Sequence, residues 1–229
     1  MLIELDANTS WSDRDPWVPE FATTRATAEQ LLSIGQAIGP ELVFQVVPQG
    51  IRLLVTISAT GDVQYLTPGG NPLRRHVLLQ AAQRLTTELT GLAKGADPDG
   101  ADLILDGILS VESGTYTVHD LIFGQSDASV TPWVTPMSHT ARRLNALTVI
   151  EAEGGFLANS RVTLARTALI PSPEVLRGEI TRAVALGHDI LIKAYTAPVI
   201  VPGVSITSPQ ATARPTVLQV LLDGSSWGG

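Results

Sequence analysis

The sequence predicts an α+β protein in which antiparallel sheets carry flanking helices. Two observations lead there: short runs rich in β-branched residues separated by tight turn signals, and longer segments whose leucines and alanines recur at helical spacing. A third is composition: 229 residues with 44% hydrophobic and 16% charged content can bury a substantial core without disulfides or metals.

From the amino terminus, Leu2 to Leu5 reads as a short strand and Asn8 to Pro19 as a loop. Thr27 to Ile38 reads as an amphipathic helix ended by Gly39-Pro40. Val43 to Val47 and Ile51 to Ser58 are β-branched, and Gly61-Asp62 turns the chain into Val63 to Thr67, which predicts an antiparallel meander. A single helix is expected from His76 to Leu92, with Leu78, Leu79, Ala82, Leu85 and Leu89 on one face, then a polar turn from Lys94 to Gly100. Strands at Ala101 to Val111 and Thr115 to Phe123 flank the turn Glu112-Ser113-Gly114. A loop with Pro132 and Pro136 precedes a third helix from Ser138 to Glu151. After Gly154-Gly155 one strand is expected from Ser160 to Ala168. The fourth helix opens at Ser172-Pro173-Glu174, an N-cap followed by proline and an acid, and should stop at Gly187. Ile190 to Tyr195 and Thr216 to Leu222 read as strands around a Pro/Ser/Thr-rich loop.

Composition also narrows function. The net charge is −7, from 22 acidic and 15 basic residues, and only Lys94 and Lys193 are lysines. Polynucleotide binding by counterion release needs clustered cations, so nucleic acid is not the expected partner. No run reaches the roughly 20 apolar residues that span a bilayer, and the opening residues lack a signal-peptide layout. A soluble chain made in the cytoplasm, without membrane contact, is the expectation. Without cysteine, neither thiolate catalysis nor thiolate metal ligation is open to it.

Several short segments resemble, in order, the nucleotidyltransferase (adenylation) domain of ATP-dependent DNA and RNA ligases. They run Val47-Pro48-Gln49-Gly50-Ile51-Arg52, Gly61-Asp62, Thr67-Pro68-Gly69-Gly70-Asn71, Asp106-Gly107-Ile108-Leu109, Tyr116-Thr117-Val118-His119-Asp120-Leu121, Ser138 to Arg143, Gly187 to Lys193, and Val217 to Leu221. The resemblance implies a ligase-like adenylation domain from about Phe44 to Leu222. It implies a main domain over residues 41–224, with an N-terminal strand, loop and helix (1–40) packed on it and a short tail (225–229). The following OB domain of the family is expected to be missing.

The resemblance also says what is gone. Family members carry the nucleophilic lysine where this chain has Val47, an aspartate where it has Gln49, and a glutamate where it has Ile108. Two lysines of the last segment fall at Gln219 and Leu221. His188, or with a one-residue gap Asp189, stands where another glutamate belongs. No catalytic residue, cofactor or metal is therefore expected. Arg52 and Lys193 survive as vestigial cofactor-binding positions, each with a plain structural alternative.

Other residues weigh less. His76, His119, His139 and His188 lack metal-ligand spacing. Asp102, Asp106 and Asp120 lie on expected strands and could form a carboxylate cluster, and Arg74-Arg75 and Arg142-Arg143 are basic doublets whose usual fate is surface pairing. The leading expectation is a non-enzymatic structural or interaction protein whose partners are other protein subunits in a larger assembly. A phage virion component, such as a minor tail or baseplate protein, is the specific guess. The alternative is a nucleotide- or nucleic-acid-binding pseudoenzyme retaining Arg52 and Lys193. A third reading, an active transferase using Lys94 or Lys193, follows last. A partner would be expected to bury Trp11, Trp17, Trp133 or Trp227.

Overall fold

The computed structural model describes residues 20–38, 42–58, 60–74, 76–96, 103–123, 144, 147–148, 150–152, 160–169, 172–194 and 216–222. The expected strand at Leu2 to Leu5, the loops around Pro132 and Pro198, and all four tryptophans lie outside them. In chain order the elements are β1 (Glu20–Ala26), α1 (Ala28–Ile38), β2 (Leu42–Val47), β3 (Ile51–Ile57), β4 (Val63–Leu66), α2 (His76–Gln83) and α3 (Thr86–Ala96). They continue as β5 (Leu103–Ser110), β6 (Thr115–Phe123), β7 (Val162–Leu164), β8 (Arg166–Leu169), α4 (Pro173–Leu186), β9 (Asp189–Ala194) and β10 (Thr216–Leu222).

The chain forms two compact units and, among the described residues, passes between them at Gln49/Gly50 and at Leu164/Ala165. The first holds a sheet in the order β4-β3-β5-β6-β7, the second a sheet in the order β1-β10-β9-β2-β8. Pairing is antiparallel except for one parallel pair in each, β6 with β7 and β1 with β10. The α+β class with two sheets and flanking helices is thus as expected, with those parallel edges added.

Three local expectations need correction. Strands β2 and β3 do not belong to one meander: β2 pairs with β8 and β9, whereas β3 pairs with β4 and β5. Five consecutive buried residues, Val43 to Val47, give β2 two faces to cover rather than one, which suits a central strand. Pro48, lacking an amide hydrogen, then releases the chain. The single strand at Ser160 to Ala168 is two short strands, one in each sheet, broken at Ala165. The helix from His76 to Leu92 is two helices. Leu85 N bonds Ala82 O and the Thr86 hydroxyl bonds Gln83 O, so the chain tightens and recaps at Arg84-Leu85 while the leucine face continues.

In the first unit, α2 and α3 cover one face of the sheet with a core of Leu53, Val55, Leu105, Leu109, Tyr116, Val118, Leu85, Leu89 and Leu92. Each large apolar side chain buried there contributes on the order of 1.5–3 kcal/mol. Leu144, Leu147, Thr148 and residues 150–152 are helical, in the part of the expected third helix that is described, and Leu147 and Ile150 join this core. The Gly61 turn has φ +88°, a conformation that favours glycine, and its amide bonds Ser58 O.

In the second unit, α1 and α4 pack against Phe44, Val46, Ile190, Ile192 and Val220. Helix α4 has the ends its sequence announces. Ser172 is an extended N-cap accepting from Val175 N, Pro173 opens the helix, and Gly187 closes it at φ +61°.

Candidate functional site

Alternation along each strand decides which side chains leave the helix-covered faces. On β2, Phe44 and Val46 enter the helix-side core, so Val43, Gln45 and Val47 turn to the other face. On β5, Leu105 and Leu109 enter the core, so Ile104, Asp106 and Ile108 turn away from it. Each unit carries its own polar group on this second face, built from described residues of the segments singled out in the sequence.

The group of the first unit is built on Asp106, which is fully buried. Arg52 grips it with two nitrogens: Nε donates to Oδ1 at 2.9 Å and Nη2 donates to Oδ2. His119 Nε2 lies 3.3 Å from Oδ1, and the imidazole is itself fully buried. Burial alone would push Asp106 upward; the Arg52 guanidinium, and after it His119, more than cancel that and hold the carboxyl well below the usual range. Tyr116, whose hydroxyl reaches Leu53 O at 2.9 Å on the opposite face, has its phenol pushed up by burial, with the Asp106 charge adding to the rise.

Glycine at two motif positions has a steric reason. A Cβ on Gly107 would stand 2.5 Å from the Tyr116 ring and 2.7 Å from Thr117 O. A Cβ on Gly50 would meet Leu109 O at 2.4 Å. These glycines let backbone and ring approach, whatever chemistry the domain performs. Ile108, where the resemblance leads one to expect a glutamate, is 2% exposed and sits opposite Arg52 in the β3–β5 register.

The group of the second unit is held by β2, β9 and β10. Gln45 Nε2 donates to Thr167 Oγ1 at 2.8 Å, and Gln219 Nε2 donates to Asp189 Oδ2 at 3.0 Å. Burial pushes the Asp189 carboxyl above its usual range, and the Gln219 and Gln49 amides and His188 recover only part of it. Asp189 Oδ1 is buried with no hydrogen-bond partner among the described residues. Val47, where the resemblance leads one to expect the nucleophilic lysine, is fully buried opposite Asp189. Lys193 is buried in β9, opposite Val43.

The expected carboxylate cluster does not form on the described strands. Asp106 and Asp120 are register partners, but β6 bulges between them and Gly107/Val118, so that His119 and not Asp120 faces Asp106. Asp120 Oδ1 instead accepts from Leu121 N. Asp102 lies outside the described residues. His119, passed over in the sequence for lack of metal spacing, belongs to the Asp106 group; the signal that could have found it is its place beside Asp120 on a strand facing Asp106. Arg74 and His76 are exposed, and His188 is half-buried, its imidazole pushed down by burial and by Arg182 while Asp189 pulls it back. Lys94 lies within α3, its side chain outside the described residues, as are Arg142, Arg143 and His139. Among the described residues no three His, Cys, Asp or Glu are grouped to hold a metal ion, and no helix is long and apolar enough to cross a membrane.

No protein-family model matches this chain, and no curated protein does. Solved structures do. The ligase domain of M. tuberculosis LigD superimposes with a TM-score of 0.50 at 14% identity, covering 88% of this chain and 58% of that one. A mycobacterial DNA ligase D complexed with ATP and MES gives 0.51 at 14%, covering 89% and 60%. A structure described as Pmar-Lig_Pre gives 0.52 at 15%, covering 86% and 45%. The chain therefore spans less than two thirds of each of these structures, and the likeness is one of fold: this is a DNA-ligase-like nucleotidyltransferase fold.

Proposed function

We propose that the chain is a non-enzymatic structural or interaction protein that uses a degenerate ligase-like fold as a rigid block. The observation that carries this reading is the burial of Val47 at the position where the family places its nucleophile. Attack on the α-phosphate of ATP needs a neutral amine with a lone pair, and an isopropyl group has none. Ile108 compounds the loss, since it can neither bind a ribose hydroxyl nor approach a divalent ion. Gln219 and Leu221 remove the cations that would offset charge on transferring phosphate oxygens.

The residues present do not fit ATP and its metal. The retained Arg52 is engaged on Asp106, that carboxylate is taken up by the Arg52 guanidinium with His119 beside it, and Lys193 is buried. Apolar side chains in place of charged pocket residues stabilise a domain released from catalysis. Protein subunits of a larger assembly are the partners this reading favours, and a phage virion is the setting it proposes.

The second reading, a nucleotide-binding pseudoenzyme, has the surviving Arg52 and Lys193 in its favour. Calorimetric titration with ATP and Mg²⁺ separates the two. No heat of binding at millimolar nucleotide is expected; saturable binding that Lys193→Ala abolishes would move the assignment to the pseudoenzyme.

A further inference from the structure

Strand β7 is held largely by polar contacts. It is three residues long, stands at the edge of the first sheet and pairs parallel with Tyr116, Thr117 and Val118 of β6. Val162 is its buried apolar anchor, while Leu164 is only partly buried. So short a parallel edge holds itself weakly.

A single carboxylate supplies the rest of the hold. Glu88 lies in the first turn of α3, and its Oε2 accepts from the Arg161 amide at 2.6 Å, from the Val162 amide at 3.2 Å and from the Ser160 hydroxyl. Its Oε1 accepts from Arg161 Nε at 2.9 Å. Arg161 Nη2 donates in turn to Arg84 O at 3.0 Å, just past the end of α2. Pairing with β6 uses the other side of the strand: Tyr116 N donates to Arg161 O at 2.8 Å, and alternation then turns the Val162 amide outward. An edge strand ordinarily leaves such amides open to water or to another strand, and here Glu88 covers them. Burial would raise the Glu88 carboxyl; the Ser160 hydroxyl, the Arg161 side chain and the two amides outweigh it and hold the group below its usual range.

We infer that Glu88 is a latch, and that residues 160–164 are a strap it closes over the edge of β6. Hydrogen bonds to an ionised carboxylate are about twice as strong as neutral ones, and those that hold the strap to α3 converge on this one group. Without it the apolar hold of Val162 and the short pairing with β6 remain, so the strap opens as a unit while β3 and β5 stay folded. Opening bares the β6 backbone from Tyr116 to Val118 and adds the strap to the chain that leaves the first unit at Leu164/Ala165. Latch and strap belong to one unit, and the inference stands whether or not the domain has lost its chemistry.

Residue-resolved amide hydrogen exchange on the full chain tests this, with circular dichroism confirming that each variant is folded. In the wild-type chain the amides of Arg161, Val162 and Tyr116 should be protected. Glu88→Ala should speed all three together by about tenfold or more, while the amides of β3 and β5 keep their wild-type rates. Glu88→Gln, which keeps one acceptor oxygen, should fall between, and it carries the test alone if the alanine variant does not fold. Unprotected Arg161 and Val162 amides in the wild-type chain, rates that neither variant changes, or acceleration at Arg161 and Val162 without Tyr116 would each overturn the inference. So would equal acceleration through β3 and β5, which would make Glu88 a contributor to global stability and not a latch.

Discussion

Asp106 in the first unit and Asp189 in the second are both buried carboxylates, and the two units treat them in opposite ways. In the first, Asp106 is met by a two-nitrogen grip from Arg52 and by His119, and it stays ionised far into acid. In the second, Asp189 accepts from the Gln219 amide at 3.0 Å, its other oxygen is buried with no hydrogen-bond partner among the described residues, and its affinity for a proton rises. Burial is common to both; what differs is whether cations accompany the charge. Asp106 is a structural tie across β3, β5 and β6, whereas Asp189 is a cost that the fold of the second unit carries.

The largest break in this contrast should come from Arg52→Met. Leaving the Asp106 charge to His119 alone is expected to cost about 3–5 kcal/mol in urea unfolding. A loss under about 1 kcal/mol would mean the pair is a passive contact.

The glycines sharpen the comparison next. Gly107→Ala forces a Cβ against an aromatic ring and a backbone carbonyl, and should cost about 2–3 kcal/mol. In the second unit a Cβ on Gly35 would stand 2.1 Å from Leu176 Cδ2, the far end of a buried but rotatable side chain and not a ring or a backbone carbonyl, and alanine favours the helix. Gly35→Ala should therefore stay within about 1 kcal/mol of wild type, and melting curves of the pair would show whether close approach to rigid atoms decides the cost.

The smaller effects concern Asp189. Asp189→Asn keeps a side-chain oxygen but removes the charge, and should raise stability at neutral pH by about 1 kcal/mol. The pH dependences oppose each other. The Asp106 contribution is complete above its unfolded value of 3.8 and is lost as pH falls below it toward the depressed folded value. The Asp189 contribution is complete below 3.8 and is lost as pH rises through its raised folded value. Stability measured against pH should thus fall in acid in both proteins, while the decline on the alkaline side of 3.8 should be shallower in Asp189→Asn. Identical profiles would show that Asp189 titrates as it does in the unfolded chain.

Sequence legibility follows the range of the interactions involved. The ends of α4 are readable because Ser172, Pro173 and Gly187 act within a few residues. The separation of β2 from β3 is not, since both are apolar strands of similar length joined by three residues, and β2 finds its partners β8 and β9 only in the last third of the chain. Likewise the leucine pattern runs unbroken through the α2–α3 break, which a threonine hydroxyl and a tight turn create. At the site, the expectation at Val47 and Ile108 needs only the residue types, because whether a side chain carries an amine or a carboxylate requires no coordinates. The Arg52–Asp106–His119 group is not, because a strand bulge decides that His119 faces Asp106.

The central claim is that the domain has no adenylation chemistry, and the most direct measurement is transfer of label from α-labelled ATP with Mg²⁺, read after denaturing separation. No label should remain on the chain. Covalent label, lost in Lys94→Ala or Lys193→Ala, would contradict the account and return the protein to the enzymes.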